Sequence, residues 1–499
     1  MFEKFTKISL LILSIFMSCC TSIKCQNKVD YSWILGTYNF ENPNITIIKF
    51  NSDTILSVSA VKGDASVYTD AGLICDTDGN LKVIATNCAV MNSNFDTVSN
   101  SNLLKDRYLN YCQERNGAFW PFEQSVLVLP FIGDKNKFRI LFTNTQSIST
   151  EQDSLRSFFY SYLNGAVIDF SKKEQGELIN VWQRLYNDTI TVSHITACKK
   201  DNNEDWWIIL PMDGRPCYSI LSYSIDTIEF FKKDCLGKIG FNNIDFEGQA
   251  SFSPDRTKYA RFNIANGLHL FDFDSKSGSL LNPRLIKLSV PPGNISGGLC
   301  FSPNSKYLYV FCDKLLYQLD VSNPDVESTK VLIDTLDLTS GKEYIASFNH
   351  GLLAPDGRIY ISGIWDSKYL NVINSPNCKG KLCDLVQQGI PLPTKNSWGV
   401  PNYPHFRDRK DVPECPPDKT IEWSESNYKI EFKESFLTYD FKSSKPKSIS
   451  FYELSGRLIK LIELTNSNGQ INIDFLSNGY FIVKIVCNNR QYIEKIIKL

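Results

Sequence analysis

Residues 300–321 read CFSPNSKYLYVFCDKLLYQLDV, and this stretch decides the fold. Proline presets φ for the second position of a turn, and Asn or Asp tolerates the positions after it, so Ser302, Pro303 and Asn304 predict a chain reversal between two strands. The run after the turn is apolar on both faces, which is typical of a strand packed between two sheets. The next run, LLYQLDV, alternates and predicts a half-exposed strand further from the centre.

The same unit occurs three times in the chain. Each copy places two apolar runs after a turn, and the other two turns consist of Ser253, Pro254 and Asp255 and of Pro355, Asp356 and Gly357. The three prolines are 49 (303 − 254) and 52 (355 − 303) residues apart. Sheets of about four strands repeating every 40 to 50 residues are typical of a β-propeller, in which each blade covers the face of the next.

Weaker copies extend the repeat towards the N-terminus. Turns are predicted at residues 78–79, 134–136 and 201–204, each between runs rich in Val, Ile and aromatic residues. Six turn signals at about 50 residues per blade predict an all-β, WD40 or YVTN-like propeller over residues 26–410, with seven blades favoured and six as the alternative. YSWILGTYNF (31–40) and SWGVPNYPHF (397–406) are expected to close the seventh blade jointly. A helical insertion is expected at residues 153–163.

Composition agrees with a large globular core. The chain has 499 residues, of which 42% are hydrophobic and 13% aromatic, and its net charge is −1. A charge so close to zero gives no reason to expect nucleic acid or an anionic membrane as a partner, because both call for a basic surface.

Residues 1–25 predict a signal peptide. Its apolar run, ISLLILSIFMS, is too short to span a bilayer as a permanent helix, so we expect export and no transmembrane segment after the signal is removed. Cleavage between residues 22 and 26 is the favoured interpretation. Lipid attachment at Cys19 or Cys20, which directly follow the apolar run, is the alternative.

Export bears on the cysteines. Of 15 Cys, three lie in the signal region and 12 remain (15 − 3), an even number compatible with disulfides in an oxidising compartment. Cys378 and Cys383 are close in sequence and Gly380 between them permits a tight loop, so a local bridge is predicted. No spacing resembles a zinc site, and we expect no cofactor.

A second domain follows the propeller. Residues 411–420 are Pro-rich and predict an extended linker. Residues 421–499 contain short strands separated by Ser-Gly and Asn-Gly turns, which predicts a small Ig-like β-sandwich.

The tail resembles the type A C-terminal sorting domain of Bacteroidetes proteins that are exported by the type IX (Por) secretion system. The residues that carry the resemblance are Ser455, Gly456, Arg457, Leu476, Gly479, Lys495 and Lys498. The body is similar to propellers that these bacteria fuse to such a tail. The resemblance implies that the type IX machinery and its sortase are partners, and that the protein is secreted or attached to the outer-membrane surface.

No residue is assigned to catalysis, cofactor or metal. The four His are far apart in sequence, and the Asp-rich turn at 76–80 begins like a calcium loop but is better explained as a hairpin. Two function hypotheses follow: a binding or scaffold protein for an extracellular glycan, peptide or protein, which is favoured, and an extracellular enzyme (glycan lyase, glycoside hydrolase or peptidase-associated). Several carboxylates, or Asp with His and Tyr, at one channel mouth would favour the enzyme.

Overall fold

The structure, a computed structural model, describes residues 28–37, 44–65, 67, 71–86, 88–107, 123–148, 158–225, 227–236, 248–290, 297–336, 347–364, 366–406, 415, 423–425, 428–433, 435–441, 446–453, 457–477, 479–487 and 490–498. Two compact units divide the chain: residues 1–374 with 386–410, and residues 375–385 with 411–499. The predicted signal peptide lies outside the described residues, as does the predicted linker apart from Cys415.

In its described residues, the first unit is a propeller of seven antiparallel sheets, here called blades 1 to 7 in chain order. Blade 1 contains β1 (Ser32–Gly36), β2 (Asn44–Phe50) and β3 (Ile55–Lys62). Blade 2 contains β4 (Gly72–Cys75), β5 (Leu81–Ala85) and β6 (Val90–Met91), and a 3-10 helix (Ser101–Arg107) follows it. Blade 3 contains β7 (Val126–Pro130), β8 (Lys137–Ile148), β9 (Phe158–Asp169) and β10 (Glu177–Arg184).

Blades 4 to 7 have four strands each. Blade 4 contains β11 (Thr196–Lys199), β12 (Trp206–Pro211), β13 (Cys217–Ser224) and β14 (Thr227–Cys235). Blade 5 contains β15 (Gln249–Phe252), β16 (Lys258–Asn263), β17 (Gly267–Asp274) and β18 (Ser279–Ile286). Blade 6 contains β19 (Gly298–Phe301), β20 (Tyr307–Cys312), β21 (Leu315–Asp320), a 3-10 helix (Glu327–Thr329) and β22 (Val331–Thr335). Blade 7 contains β23 (Gly351–Leu353), β24 (Ile359–Ile361), β25 (Ser367–Ile373) and β26 (Leu385–Asn396), with a 3-10 helix (Gly380–Cys383) before β26.

All six predicted turns join the first and second strands of a blade, from blade 2 to blade 7. In blade 6, Ser302 Oγ accepts the Tyr307 amide at 2.8 Å and donates to Asn304 Oδ1 at 2.7 Å. The next residue, Ser305, has φ of 63°, and Gly357 has φ of 84° at the same position in blade 7. The side-chain hydrogen bonds of the turn hold this unfavourable backbone in place even where the residue is not Gly.

The ring closes by packing between blades 7 and 1, and not through a shared blade. YSWILGTYNF supplies β1, whereas the four strands of blade 7 all come from residues 351–396. Thr46 Oγ1 and Thr394 Oγ1 lie 2.5 Å apart, and the Ser397 amide donates to Gly36 O at 2.9 Å. The predicted joint blade is therefore wrong, because SWGVPNYPHF supplies no strand to blade 1 or to blade 7.

The helical insertion expected at residues 153–163 is wrong where the structure describes it. Residues 158–163 belong to β9, which pairs with β8 from Phe158 opposite Ile148 to Asp169 opposite Lys137. The aromatic residues of this segment suit a pleated surface, and the long hairpin satisfies its backbone groups across the pair.

Apolar side chains fill the interfaces between blades. Phe262 of blade 5 and Leu308 of blade 6 belong to one buried cluster, and the Tyr360 ring of blade 7 lies 5.8 Å from Trp33 of blade 1. All six residues of β20 are buried, as its two apolar faces predicted. The half-exposed strand expected at LLYQLDV is also buried, because Gln318 donates to Tyr309 Oη at 2.8 Å inside the blade.

The second unit contains a small Ig-like β-sandwich. Its strands are β27 (Trp423–Glu425), β28 (Tyr428–Lys433), β29 (Phe436–Phe441), β30 (Pro446–Glu453), β31 (Leu458–Glu463), β32 (Asn468–Asn472), β33 (Gly479–Cys487) and β34 (Arg490–Lys498). They form two four-stranded sheets in the orders β27-β28-β29-β32 and β31-β30-β33-β34. Ile430 and Leu437 from the first sheet and Phe451 and Val483 from the second belong to one buried core.

Two disulfides are defined in the described residues. Cys217 and Cys235 join the paired strands β13 and β14. In the second unit, Cys378 is bonded to Cys415, 37 residues away in sequence, and Cys383 keeps a buried thiol. The predicted Cys378–Cys383 bridge is therefore wrong, since closeness in sequence does not place two Cα atoms at the separation a disulfide needs.

Candidate functional site in the propeller channel

The first strand of each blade lies next to the propeller axis, so β1, β4, β7, β11, β15, β19 and β23 surround a central channel. Residues immediately before these strands converge at one end of the channel. Single side chains from blades that are far apart in sequence can therefore meet there.

SWGVPNYPHF, residues 397–406, lies inside the channel as an extended segment, here called the channel segment. Asn402 forms a parallel bridge with Gly72 of blade 2, and His405 forms one with Cys198 of blade 4. The amides of Asn402 and His405 each donate to a carbonyl of these blades at 2.9 Å. The segment thus pairs with inner strands whose inward edges would otherwise face the channel.

Asn402 is the centre of this arrangement. Its side chain donates to Val126 O of blade 3 at 2.9 Å and to Ile195 O, just before blade 4, at 3.2 Å. Its Oδ1 accepts Gln124 Nε2 at 3.3 Å, and the residue is only 2% exposed. One buried amide therefore connects the channel segment to blade 3 and adds a second contact with blade 4.

Two glutamines cross the channel in the same manner. Gln124 accepts the Ala250 amide at 2.7 Å and donates to the Ala250 carbonyl at 3.0 Å. Gln249 accepts the amides of Leu299 and Gly351 at 3.1 Å and 3.2 Å, and donates to the Gly351 carbonyl at 2.9 Å. A side-chain amide has the donor and acceptor of a peptide group, so each glutamine satisfies the inner edge of a strand as a neighbouring strand would.

Glu123 and His350 form a fully buried carboxylate–imidazole pair. Glu123 precedes β7 and His350 precedes β23, yet Glu123 Oε2 lies 3.0 Å from His350 Nε2, with both side chains at 0% exposure. The same oxygen accepts the Gly248 amide at 2.5 Å. These contacts tie blades 3, 5 and 7 together, and they offset the desolvation of the carboxylate.

A second polar cluster contains Arg261, His194 and His269. Arg261 is 1% exposed, and its Nε donates to His194 Nδ1 at 3.1 Å. His269 lies opposite Arg261 in the β16–β17 pair. Burial, and then the positive charge of Arg261, lower the pKa of His269 from 6.5 to about 4, although its hydrogen bond to the Asn266 carbonyl acts in the opposite direction. His269 is therefore neutral at neutral pH.

A cavity of about 90 Å³ borders the channel segment and the inner strands of blades 5, 6 and 7. Its wall includes Trp33, Thr196, Phe252 and Phe301. Asp30, Tyr403 and His405 also line it. Tyr403 Oη donates to Ser32 O at 2.6 Å, which fixes the phenol in place. The cavity thus combines aromatic walls with a carboxylate, a phenol and an imidazole.

The predicted blade-turn residues hold hairpins. Ser253 Oγ accepts the Lys258 amide at 2.9 Å, and Asp356 Oδ2 accepts Tyr360 Oη at 2.7 Å. Pro254 also borders the cavity. The Asp-rich turn at residues 76–80 is a hairpin as well, because Asp76 Oδ1 accepts the amides of Asp78 and Asn80 at 3.0 Å and 2.9 Å.

The predicted sorting residues lie along the second unit. Arg457 forms an ion pair with Glu453, and Lys498 Nζ donates to Ile473 O at 2.7 Å. Leu476 is buried, Gly479 has φ of 153°, and Lys495 lies in β34 opposite Ile482. Ser455 and Gly456 lie outside the described residues. A role of these residues in recognition by the secretion machinery stays a prediction.

Sequence reasoning missed the residues that meet in the channel. Glu123, Gln124, Gln249, His350 and Asn402 belong to no linear motif, because they come from blades 3, 5 and 7 and from the channel segment. One signal was available: polar residues stand directly before, or at the first position of, the inner strands of blades 3, 5 and 7.

The fold and the tail together define an exported β-propeller with a C-terminal sorting domain. Residues 425–499 match the family model of the secretion system C-terminal sorting domain. This is the sorting domain of the type IX system, and the protein is therefore exported to the cell surface or secreted. Among the residues that the structure describes, no helix has the length and apolar character to cross a membrane.

Solved structures similar to the chain include a candidate 6-phosphogluconolactonase from Bacteroides uniformis. It is 13% identical, covers 92% of this chain and 100% of its own, and has a TM-score of 0.35. A protein from Lactobacillus plantarum is 10% identical over 88% of this chain and 98% of its own, with a TM-score of 0.34. A protein of unknown function from Bacteroides caccae is 13% identical over 74% of this chain and 98% of its own, with a TM-score of 0.31. A search of curated proteins found no match.

Proposed function

We propose that the protein is an extracellular binding or scaffold protein, secreted or held at the cell surface, whose propeller presents its outer surface to a glycan, a peptide or another protein. The channel supports this proposal. It contains residues 397–406 and is crossed by the side chains of Gln124 and Gln249. A propeller closed in this way is a rigid platform, and a macromolecular partner has its exterior to bind.

An array experiment tests the binding function. The exported protein, purified from the surface fraction or the medium, is applied to glycan and peptide arrays, and the probes are afterwards analysed by mass spectrometry. We expect saturable binding to one probe class and recovery of the probe intact. Recovery of a cleaved probe would contradict the binding function and support an enzyme.

The enzyme is the second candidate, and the cavity is the observation that favours it. Asp30, Tyr403 and His405 line one cavity, and these residue types serve as general acids and bases. If the protein is an enzyme, Asp30→Asn should lower the rate at which the probe is cleaved by about 100-fold or more, while binding of the probe is retained. Unchanged turnover in this variant would exclude the cavity as the active site.

Export through the C-terminal domain is tested in the cell. A chain that ends at residue 424 lacks the matched sorting domain and should accumulate in the periplasm. Terminal peptides of the full-length protein, mapped by mass spectrometry, show whether the sortase removes the domain. Surface delivery of the shortened chain would contradict the role of the tail.

A further inference from the structure

A groove of about 480 Å³ lies between blades 1 and 2. Its walls include the β2–β3 hairpin of blade 1 and the β4–β5 hairpin of blade 2. We propose that this groove binds an acidic oligosaccharide, whose negative charges are carried by carboxylate or sulfate groups. The inference rests on the proposed binding function, because it names the class of ligand and the place on the propeller that holds it.

Hydrogen bonds fix the walls of the groove. In the β2–β3 turn, Asn51 Oδ1 accepts the amides of Asp53 and Thr54 at 2.8 Å and 2.7 Å. At the start of β1, Ser32 Oγ donates to the Gly79 carbonyl at 3.3 Å, which ties blade 1 to the β4–β5 turn. The site is therefore formed before a ligand arrives, and little conformational entropy is lost on binding.

The floor of the groove is apolar and closely packed. Tyr31 and Phe50 are 5% and 3% exposed, and the Phe50 ring lies 5.0 Å from that of Trp33. Leu56 of β3 borders the same groove and is 63% exposed. Since a sugar ring has apolar C–H faces, it can cover Leu56 while its hydroxyls remain at the polar rim.

The rim consists of side-chain amides and hydroxyls, contributed by Asn51, Ser52, Asn80 and Ser93. Asn51 bonds its own turn through its oxygen, and Asn80 bonds Asp76 through its nitrogen. Among the described residues, the N–H groups of Asn51 and the oxygen of Asn80 thus remain for a ligand. A sugar hydroxyl donates and accepts and so suits both. An acidic peptide carries carboxylates too, but it presents few hydroxyls to this rim.

Two lysines bring positive charge to the groove. Lys28 Nζ lies 5.8 Å from the centre of the Tyr31 ring, and Lys49 lies opposite Ser32 in the pairing of β1 with β2. Neither ammonium group forms a salt bridge with a carboxylate of the described residues. Both charges are therefore available to a ligand.

The balance of charge favours an anion. Of the described lining residues, Asp78 alone carries a carboxylate, and it is exposed at the β4–β5 turn. Two cations against one carboxylate leave a positive excess, so an acidic ligand gains attraction that a neutral ligand lacks and that a cationic ligand would have to overcome.

The volume sets the size of the ligand. Sites for small molecules measure about 300–1,000 Å³, and the groove, at about 480 Å³, lies within this range. About two or three linked sugar residues are of this size.

Saturation-transfer NMR with the exported protein and four trisaccharides tests the site. Trigalacturonic acid carries carboxylates, sulfated maltotriose carries sulfates, maltotriose is neutral and a glucosamine trimer is cationic. We expect saturable signals from one or both acidic sugars, and the one that binds identifies the acidic group. Binding should weaken several-fold between about 0.05 M and about 0.3 M NaCl, because salt screens exposed charges.

Three variants assign the signal to the groove. Lys28→Gln and Lys49→Gln each remove one charge from an exposed side chain, and each should weaken binding of the acidic sugar about fivefold. Lys62→Gln is the matched control, because it removes the same charge from the far end of β3, about 20 Å from Leu56 along the strand. This distance exceeds the screening length at about 0.1 M salt, so the control should bind as the original chain does.

Four results would overturn the proposal. The first is the absence of a saturable signal from both acidic sugars, and the second is equal binding of maltotriose or the glucosamine trimer. Equal binding of tetraglutamate would replace the sugar by an acidic peptide, and unchanged affinity in the Lys28→Gln/Lys49→Gln double variant would place the binding elsewhere. The proposed function fails by a different result, the recovery of cleaved probes from the arrays, so the two failures are distinguishable.

Discussion

The blade interfaces and the channel of this propeller are built from opposite chemistry. Between blades, side chains such as Phe262 and Leu308 bury apolar surface, an attraction without preferred direction. In the channel, Gln124, Gln249 and Asn402 make hydrogen bonds of fixed geometry to backbone groups of other blades. Apolar interfaces tolerate a change of shape when the volume is kept, whereas a polar network leaves buried groups unsatisfied when one member is lost.

Truncating a blade interface should have the largest effect. Phe271 is fully buried, and its ring lies 5.0 Å from that of Tyr218 in the neighbouring blade. Phe271→Ala should lower the free energy of unfolding of the propeller by about 3–5 kcal/mol, measured by urea titration. Phe271→Leu, which keeps most of the volume, should lose less than about 2 kcal/mol. Equal losses in the two variants would contradict the non-directional character of the interface.

In the channel, a substitution that keeps the volume but removes the hydrogen bonds should not preserve stability. Asn402→Ala removes the bonds to Val126 and Ile195, and we expect a loss of about 2–4 kcal/mol because the two buried carbonyls lose their donor. Asn402→Leu, of similar size, should be no better. Asn323→Ala in an exposed turn is the control and should change stability by less than about 1 kcal/mol. If Leu restored stability at position 402, packing and not hydrogen bonding would hold the channel segment.

The buried His269 predicts a pH dependence. Its pKa is about 4 in the folded protein and about 6.5 when unfolded, so the unfolded chain binds the additional proton as the pH falls. The contribution of His269 to stability should therefore decrease by up to about 3 kcal/mol between about pH 6.5 and pH 4, and should stay constant below pH 4. In His269→Asn, the slope of the free energy of unfolding against pH should be smaller in this window, by up to the amount that corresponds to the uptake of one proton. The same slope in both proteins would mean that His269 is not the group responsible.

A blade turn should give the smallest effect. Ser302→Ala removes the acceptor for the Tyr307 amide and the donor to Asn304, and should lower the free energy of unfolding by about 1–2 kcal/mol. Ser322→Ala, whose exposed hydroxyl bonds only Asp320, should be close to neutral. No loss in Ser302→Ala would show that Pro303 alone sets the turn.

The blades could be predicted because their signals are local. Each Ser-Pro-Asp or Asp-Gly turn is contained within a few residues, and the apolar runs beside it give the strands. The six turns marked blades 2 to 7, and β1 was assigned to the wrong partner because no turn was predicted between β1 and β2. The exposure of β21 was predicted wrongly because Gln318 was read as a solvent-facing residue, whereas its side chain forms a hydrogen bond inside the blade.

The channel could not be predicted, because its contacts join residues that are far apart in the chain. Glu123 and His350 are 227 residues apart (350 − 123) and meet only when the ring closes. Asn402 lies in a segment that was expected to close the seventh blade, whereas its side chain bonds backbone carbonyls that any residue could supply. The Cys378–Cys415 disulfide escaped prediction for the same reason.

Residues 397–406 close the channel of an exported propeller, and site-resolved amide hydrogen exchange of the protein tests this closure most directly. The amides of Asn402 and His405 donate to buried carbonyls at 2.9 Å. They should therefore exchange as slowly as the inner strand β19, on a timescale of hours or longer. Exchange within seconds, as in an exposed loop, would contradict the closed channel and reopen the interior of the propeller to a large ligand.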